Sequence, residues 1–270
     1  MADTATLLRP GSQHNKRVSA AVPTGTLYVT PEGNVAVYQG LKAAVSGDEC
    51  RYDNEEVYAI TKGAIAFSEG DFVYFDGTNI QTTGIIVVGR CVKDAASGDA
   101  TVAVRLLKDA RMARYASVAA SAAVTNTTTE TAFDKSVTIP ANYLRAGDII
   151  RVRAQVIATS TNSTDTLTLT LYLGSVSIVA TAAVDVANND IGYIDFDIVI
   201  RTIGASGTLV GAGVQALGVP GTVTAKPALK ASTTIDTTAA NAVAVKATWS
   251  VASASNSCRL DVLDVQLIRN

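Results

Sequence analysis

The stretch Thr166-Leu167-Thr168-Leu169-Thr170-Leu171-Tyr172-Leu173 alternates without a fault. In an extended chain its four leucines share one face, and the threonines with Tyr172 share the other. A helix would scatter the same leucines around its axis, so this segment reads as a strand with one face in a core and one toward water.

The pattern repeats outward from there. Residues 149–156 place Ile150, Val152, Ala154 and Val156 on one face, with Arg151, Arg153 and Gln155 opposite. Residues 193–201 turn Ile194, Phe196, Ile198 and Ile200 inward and Asp195 and Asp197 outward. Val243, Val245, Ala247 and Trp249 share a face against Lys246 and Thr248, and 260–268 form a final strand. About eight such strands over residues 123–270 predict a jelly-roll-like antiparallel β-sandwich. The Gly-rich run from Gly204 to Gly213 lacks a Lys-Ser/Thr pair after its glycines, so it is no phosphate loop and reads as a flexible surface loop.

Toward the N-terminus the strands are shorter: 26–30, 35–38, 56–60, 72–75, 85–88 and 101–106. Pro31-Glu32-Gly33-Asn34, Glu69-Gly70-Asp71 and Asp76-Gly77 punctuate them as turns. Residues 23–107 are therefore expected to be a small β-barrel or sandwich module. No strand–helix–strand rhythm interrupts the chain, and the fold class is all-β. Residues 1–22, with irregular apolar spacing and a Pro10-Gly11 break, read as a flexible arm carrying Arg9, Lys16, Arg17 and the lone His14. Residues 108–122 read as a connector, helical or extended.

Composition agrees. Hydrophobic residues make up 48% of the 270, but aromatics only 6% and charged residues 17%. The apolar content is mostly Ala, Val, Ile and Leu, and Val, Ile and Thr favour pleated sheets because a branched Cβ packs well there. The net charge is -2 with the charges spread evenly. No basic patch with interleaved aromatics marks a nucleic-acid surface. The nearest cluster, Arg105, Lys108, Arg111 and Arg114, reads as a solvated face. No stretch is apolar enough to span a membrane, and Met1 to Lys16 lacks the pattern of a cleaved secretion signal. Cys50, Cys91 and Cys258 are odd in number and widely spaced, which argues against a disulfide framework or zinc site and for buried thiols in a reducing compartment.

Candidates for chemistry are few. The lone histidine sits in the arm, away from any Ser-His-Asp arrangement. Asp195 and Asp197 share one strand face, close enough to act as an acid–base pair, although an outward polar face needs no such role. Asp185, Asn188, Asn189 and Asp190 form an oxygen-rich loop open to calcium but without EF-hand spacing. Trp249 reads as core. Tyr172 and Tyr193 fall on outer faces, where tyrosines serve as platforms for sugar or protein contacts. No cofactor is expected, and the chain reads as a structural protein and not an enzyme.

A further signal lies in the order of features from about Val22 to Leu107. Gly40 through Gly47-Asp48, Val57 to Gly63, Ile65 to Phe67, and Glu69-Gly70-Asp71 before Val73-Tyr74 come first. Gly89-Arg90-Cys91-Val92 and the closing Val102-Ala103-Val104-Arg105-Leu106 follow. This order resembles the decoration (cement) proteins that stabilise tailed-phage heads, with Cys91 in place of the family's usual small residue. The C-terminal part is similar to jelly-roll modules of phage appendages, at Asn142 through Asp148, Arg201 through Gly204 and Trp249 through Ser257. The resemblance implies a virion protein made in the host cytoplasm and placed on the capsid exterior. There it would bridge subunits of the major capsid protein as a homotrimer, with the second module projecting as a knob. The arm, through Arg9, Lys16, Arg17 and Val22, is expected to order on the shell. The alternative is an appendage or adhesin whose C-terminal sandwich binds a host-surface glycan, with Tyr172 and Tyr193 as the recognition residues.

Overall fold

The computed structural model describes residues 13–17, 27–29, 35–38, 45, 49–53, 57–76, 79–107, 112–162 and 164–269. Every regular element among them is a β-strand, and the chain is all-β as its alternation predicts. It forms two compact units, Met1–Ala113 and Arg114–Asn270.

The first unit holds two antiparallel sheets. Strands β1 (Gln13–Arg17), β2 (Leu27–Val29), β3 (Val35–Tyr38) and β4 (Glu49–Asp53) make one, in the order β1-β4-β3-β2. All four residues of β3 are buried, so both of its faces are covered. Part of the segment expected to be an arm is thus the strand β1, with Lys16 opposite Cys50 and Arg17 opposite Glu49. Polar residues extend here because β4 offers a backbone ladder, a cause that leaves no apolar period in the sequence.

The second sheet has the order β5-β9-β8-β6-β7, built from β5 (Val57–Thr61), β6 (Phe72–Phe75), β7 (Ile80–Gln81), β8 (Ile86–Cys91) and β9 (Thr101–Leu106). Val102, Val104 and Leu106 of β9 join Ile60, Val73, Ile86 and Val88 in its core. Alternation sends Arg105 outward from the same strand. The turn at Glu69-Gly70 needs a left-handed residue, and Gly70 supplies it at φ 88°. The loops before β6 and before β9 are tied together. Phe67 bridges Ala95, the Glu69 amide donates to Asp94 Oδ1 at 2.7 Å, and the buried Lys62 ammonium donates to the Ile65 and Ala96 carbonyls at 2.8 and 2.6 Å.

The second unit is a two-sheet sandwich. One sheet runs β10-β21-β13-β17-β18-β19, with β11 also on β21. Its strands are β10 (Met112–Ala116), β11 (Val124–Thr125), β13 (Ile149–Thr159), β17 (Asp190–Thr202), β18 (Gly207–Gly218), β19 (Lys226–Ile235) and β21 (Ser257–Ile268). The other runs β12-β20-β14-β15, with β16 also on β14: β12 (Thr131–Ile139), β14 (Thr166–Leu173), β15 (Val176–Ala180), β16 (Val184–Asp185) and β20 (Asn241–Trp249). The chain passes from sheet to sheet at β11–β12, β12–β13, β13–β14, β16–β17, β19–β20 and β20–β21, which gives the fold its jelly-roll-like character. Leu167, Leu169, Leu171 and Leu173 are fully buried, as are Phe196, Ile198 and Trp249, so the leucine face of β14 is core. Fully burying each such side chain contributes roughly 1.5–3 kcal/mol.

Of the two forms open to the 108–122 connector, residues 112–116 take the extended one, as the strand β10 on the edge of the larger sheet, and the following backbone stays attached through Ser117 N–H to Leu263 and Ser121 N–H to Leu260. One expectation is corrected. The Gly-rich run taken for a flexible loop is for the most part the strand β18. Its glycines answer a shortage of space. A Cβ at Gly211 would meet the Phe196 ring at 2.5 Å, and one at Gly213 would meet Phe196 Cα at 2.7 Å and overlap the Asp195 carbonyl oxygen. The large ring of Phe196 on β17 needs the bare backbone of β18 beside it.

Candidate functional site

The outward face of the larger sandwich sheet carries its acids in pairs with bases. Arg151 lies directly opposite Asp197, and Arg153 opposite Asp195, on β13 and β17. Arg151 Nε and Nη2 donate to Asp197 at 2.9 and 3.0 Å, and Arg153 Nε lies 3.2 Å from Asp195 Oδ2. Arg114 of β10 makes the same two-pronged contact with Asp264 of β21, at 2.8 Å for both bonds. Those bonds hold the Arg114 and Arg151 guanidinium groups above their usual values. The two aspartates read as an acid–base candidate are therefore each engaged by an arginine. The basic cluster of the sequence is also dispersed: Arg105 is in β9 of the first unit, Arg114 is paired with Asp264, and Lys108 and Arg111 lie outside the described residues.

Tyr172 and Tyr193 do not form one site, because β14 and β17 belong to opposite sheets of the sandwich and both side chains point away from its core. The Tyr172 hydroxyl donates to Glu130 at 3.0 Å, and the Lys246 ammonium sits 3.9 Å above its ring while pairing with Glu130 at 3.2 Å. Partial burial, then the Glu130 carboxylate, raise the Tyr172 phenol above its ordinary value. Tyr193 is half-buried between Gln155 and Ala216 on neighbouring strands.

In the loop considered for calcium, Asp185, Asn188 and Asn189 are exposed, whereas Asp190 is 1% exposed and faces the protein. Asp190 Oδ2 accepts the Ala187 amide at 3.1 Å. No three His, Cys, Asp or Glu side chains converge on a metal-sized site among the described residues. Cys91 and Cys258 are buried thiols, and burial pushes Cys258 up to about 12. Of the residues expected to touch a shell, Lys16 and Arg17 are in β1, and Arg9 and Val22 lie outside the described residues.

The feature that sequence reading missed lies on the five-stranded sheet of the first unit. Register aligns Val57, Arg105, Arg90 and Phe72 in one row across β5, β9, β8 and β6. All four are exposed, Val57 at 48% and Phe72 at 39%. Two arginines thus stand directly opposite each other with an apolar residue at each end. Arg90 is braced: Nη1 donates to the Gly70 carbonyl at 2.9 Å and its guanidinium lies 3.9 Å from the Phe72 ring centroid. Gly89 brings β8 and β9 close, since a Cβ there would overlap the Arg105 carbonyl oxygen. A shallow cleft of about 270 Å³ opens beside the pair, lined by Glu69, Gly70, Arg90, Cys91, Val92, Arg105 and Leu107. The signal was present as Gly89-Arg90 and as an outward residue in 101–106, but nothing short of the register brings the two arginines together.

No curated protein matches the chain. Among solved structures it is similar to the lectin UEA-II complexed with galactose, at 8% identity over 60% of this chain and 94% of that one, TM-score 0.31. It is similar to the CBM2 module of the evolved Dit of Lactobacillus casei BL23 phage J-1, at 12% identity over 56% and 76%, TM-score 0.26. A third likeness is to infectious bursal disease virus, Gt strain, at 12% identity over 96% and 71%, TM-score 0.30. Likenesses this distant do not bear on what the chain binds. Residues 12–106 match the model of phage cement proteins, and this span holds the arginine pair and both sheets of the first unit. Through residues 12–106, about a third of its length, the chain is similar to the phage cement protein family.

Proposed function

We propose that this protein is a structural component of a phage virion that decorates and stabilises the capsid from outside. Its 23–107 module bridges neighbouring subunits of the major capsid protein, as a homotrimer, and its 123–270 sandwich projects outward as a knob. The observation that carries the reading is the cement-protein match over residues 12–106. Bridging suits this role physically, because several ordinary contacts made at once hold a protein far more tightly than any one of them. The N-terminal segment of residues 1–22, through Arg9, Lys16, Arg17 and Val22, adds a further contact, with Lys16 and Arg17 presented from β1.

A structural, non-enzymatic role also accords with the sandwich surface, whose paired acids Asp195 and Asp197 are held by Arg153 and Arg151. The alternative of a glycan-binding sandwich draws less support, because Lys246 lies over the Tyr172 ring that a sugar would stack on. The test is to mix the purified full chain with undecorated shells of the virus that encodes it. Saturable binding and a higher shell disruption temperature are expected; absence of binding would refute the reading.

A further inference from the structure

We infer that the Val57–Arg105–Arg90–Phe72 row is the face by which the cement module grips its partner, and that the occupant is a carboxylate-bearing, apolar-flanked segment of the shell protein. The inference rests on the cement reading and deepens it by naming the surface and its chemistry.

Arg90 and Arg105 are exact cross-strand neighbours on β8 and β9. Like charges directly opposite each other on a sheet are destabilising. On the sandwich, by contrast, Arg151 and Arg153 are matched across the ladder by Asp197 and Asp195. Neither Arg90 nor Arg105 has an ion pair among the described residues. Glu69 lines the same cleft and pairs with neither. The module thus presents two exposed arginines on neighbouring strands, one of them already fixed by Gly70 and Phe72.

That arrangement suits an incoming carboxylate. A guanidinium offers parallel N–H donors that match the two carboxylate oxygens, and a braced one loses less freedom on binding. A carboxylate between the two arginines would also remove their mutual repulsion. Val57 and Phe72 at the ends of the row leave apolar surface open for apolar neighbours of that acid. A charged centre with apolar flanks is the pattern of a protein partner.

The test uses the full chain and undecorated shells of its own virus, with wild type, Arg90→Gln, Arg105→Gln, the double Gln variant and the double Lys variant, each at several salt concentrations. Lys226→Gln/Lys230→Gln, on β19 of the second unit, is the charge control. The expected result is about tenfold or greater loss of shell affinity in the double Gln variant, with a shallower salt dependence. The double Lys variant should be intermediate, and the control should bind as wild type does. The thermal midpoint of the double Gln variant should stay within a few degrees of wild type, since the lost Arg90 contacts to Gly70 and Phe72 are offset by the removed repulsion; this separates a binding role from a folding one. Wild-type shell affinity in the double Gln variant would overturn the inference while leaving the cement reading intact. Failure of wild type to bind shells would overturn both. Tight binding of single-stranded DNA that the double Gln variant loses would reassign the face to nucleic acid and overturn it as well.

Discussion

The Lys62 ammonium lies 2.6 Å from the Ala96 carbonyl oxygen, with the Ile65 carbonyl at 2.8 Å, so a buried cation joins two loops of the first unit without a carboxylate. Hydrogen bonds from a charged donor are worth more than neutral ones. Lys62→Met keeps the aliphatic stem and removes the donor. It should destabilise the first unit by about 2 kcal/mol, read by urea unfolding followed through a probe in that unit. An unchanged midpoint would mean that solvent replaces the ammonium freely.

Arg269 and Asp148 form the buried pair of the sandwich, 3.3 Å apart, with the Arg269 guanidinium 4.3 Å from the Tyr143 ring centroid. Burial raises the Asp148 carboxyl above its ordinary value, opposed by Arg269 and by the Arg145 amide. The folded state therefore holds this proton more readily than the unfolded chain. The contribution of Asp148 to stability is fullest below the ordinary carboxylate value and falls as pH rises through the raised one. Arg269→Ala leaves the carboxylate buried and unpaired at neutral pH, which should cost about 3 kcal/mol. The loss should shrink at pH 4, where Asp148 takes up a proton. Denaturant unfolding at the two pH values checks this, and an equal loss at both would contradict it.

Gly213→Ala should destabilise the sandwich by about 2 kcal/mol, because the new methyl group meets the Phe196 backbone at 2.7 Å. Gly98→Ala is the matched control: nothing lies within 4 Å of its Cβ position, so its thermal midpoint should barely move.

Cys258 is buried, with its thiol pushed up to about 12. In a Cys50→Ser/Cys91→Ser background, a disulfide reagent at pH 8 should react with it only after unfolding, since the thiolate is the nucleophile. Fast labelling of the native protein would show that the sandwich opens there.

Deleting residues 1–12, which leaves β1 in place, should weaken shell binding. Undiminished occupancy on purified shells would remove the arm from the account.

Much of this fold was legible because half-buried strands write their period into the chain. Leu167 to Leu173 and Ile194 to Ile200 could be assigned to a core from spacing alone, and they are core. The run from Gly204 to Gly213 reads as a loop yet is mostly strand, because glycine serves both loose turns and tight packing, and only the Phe196 ring tells which. Gln13–Arg17 was misread because its extension depends on β4, more than thirty residues away. The same limit hid the arginine row. Arg90 and Arg105 become neighbours through strand register, a long-range property, although both lie in the third of the chain that carries the family resemblance.

Electron cryo-microscopy of the virion tests the central claim most directly. The account predicts density for the β5–β9 sheet on the outer surface of the head, spanning adjacent major capsid protein subunits. Density for the protein in the tail alone, or its absence from the shell, would contradict it.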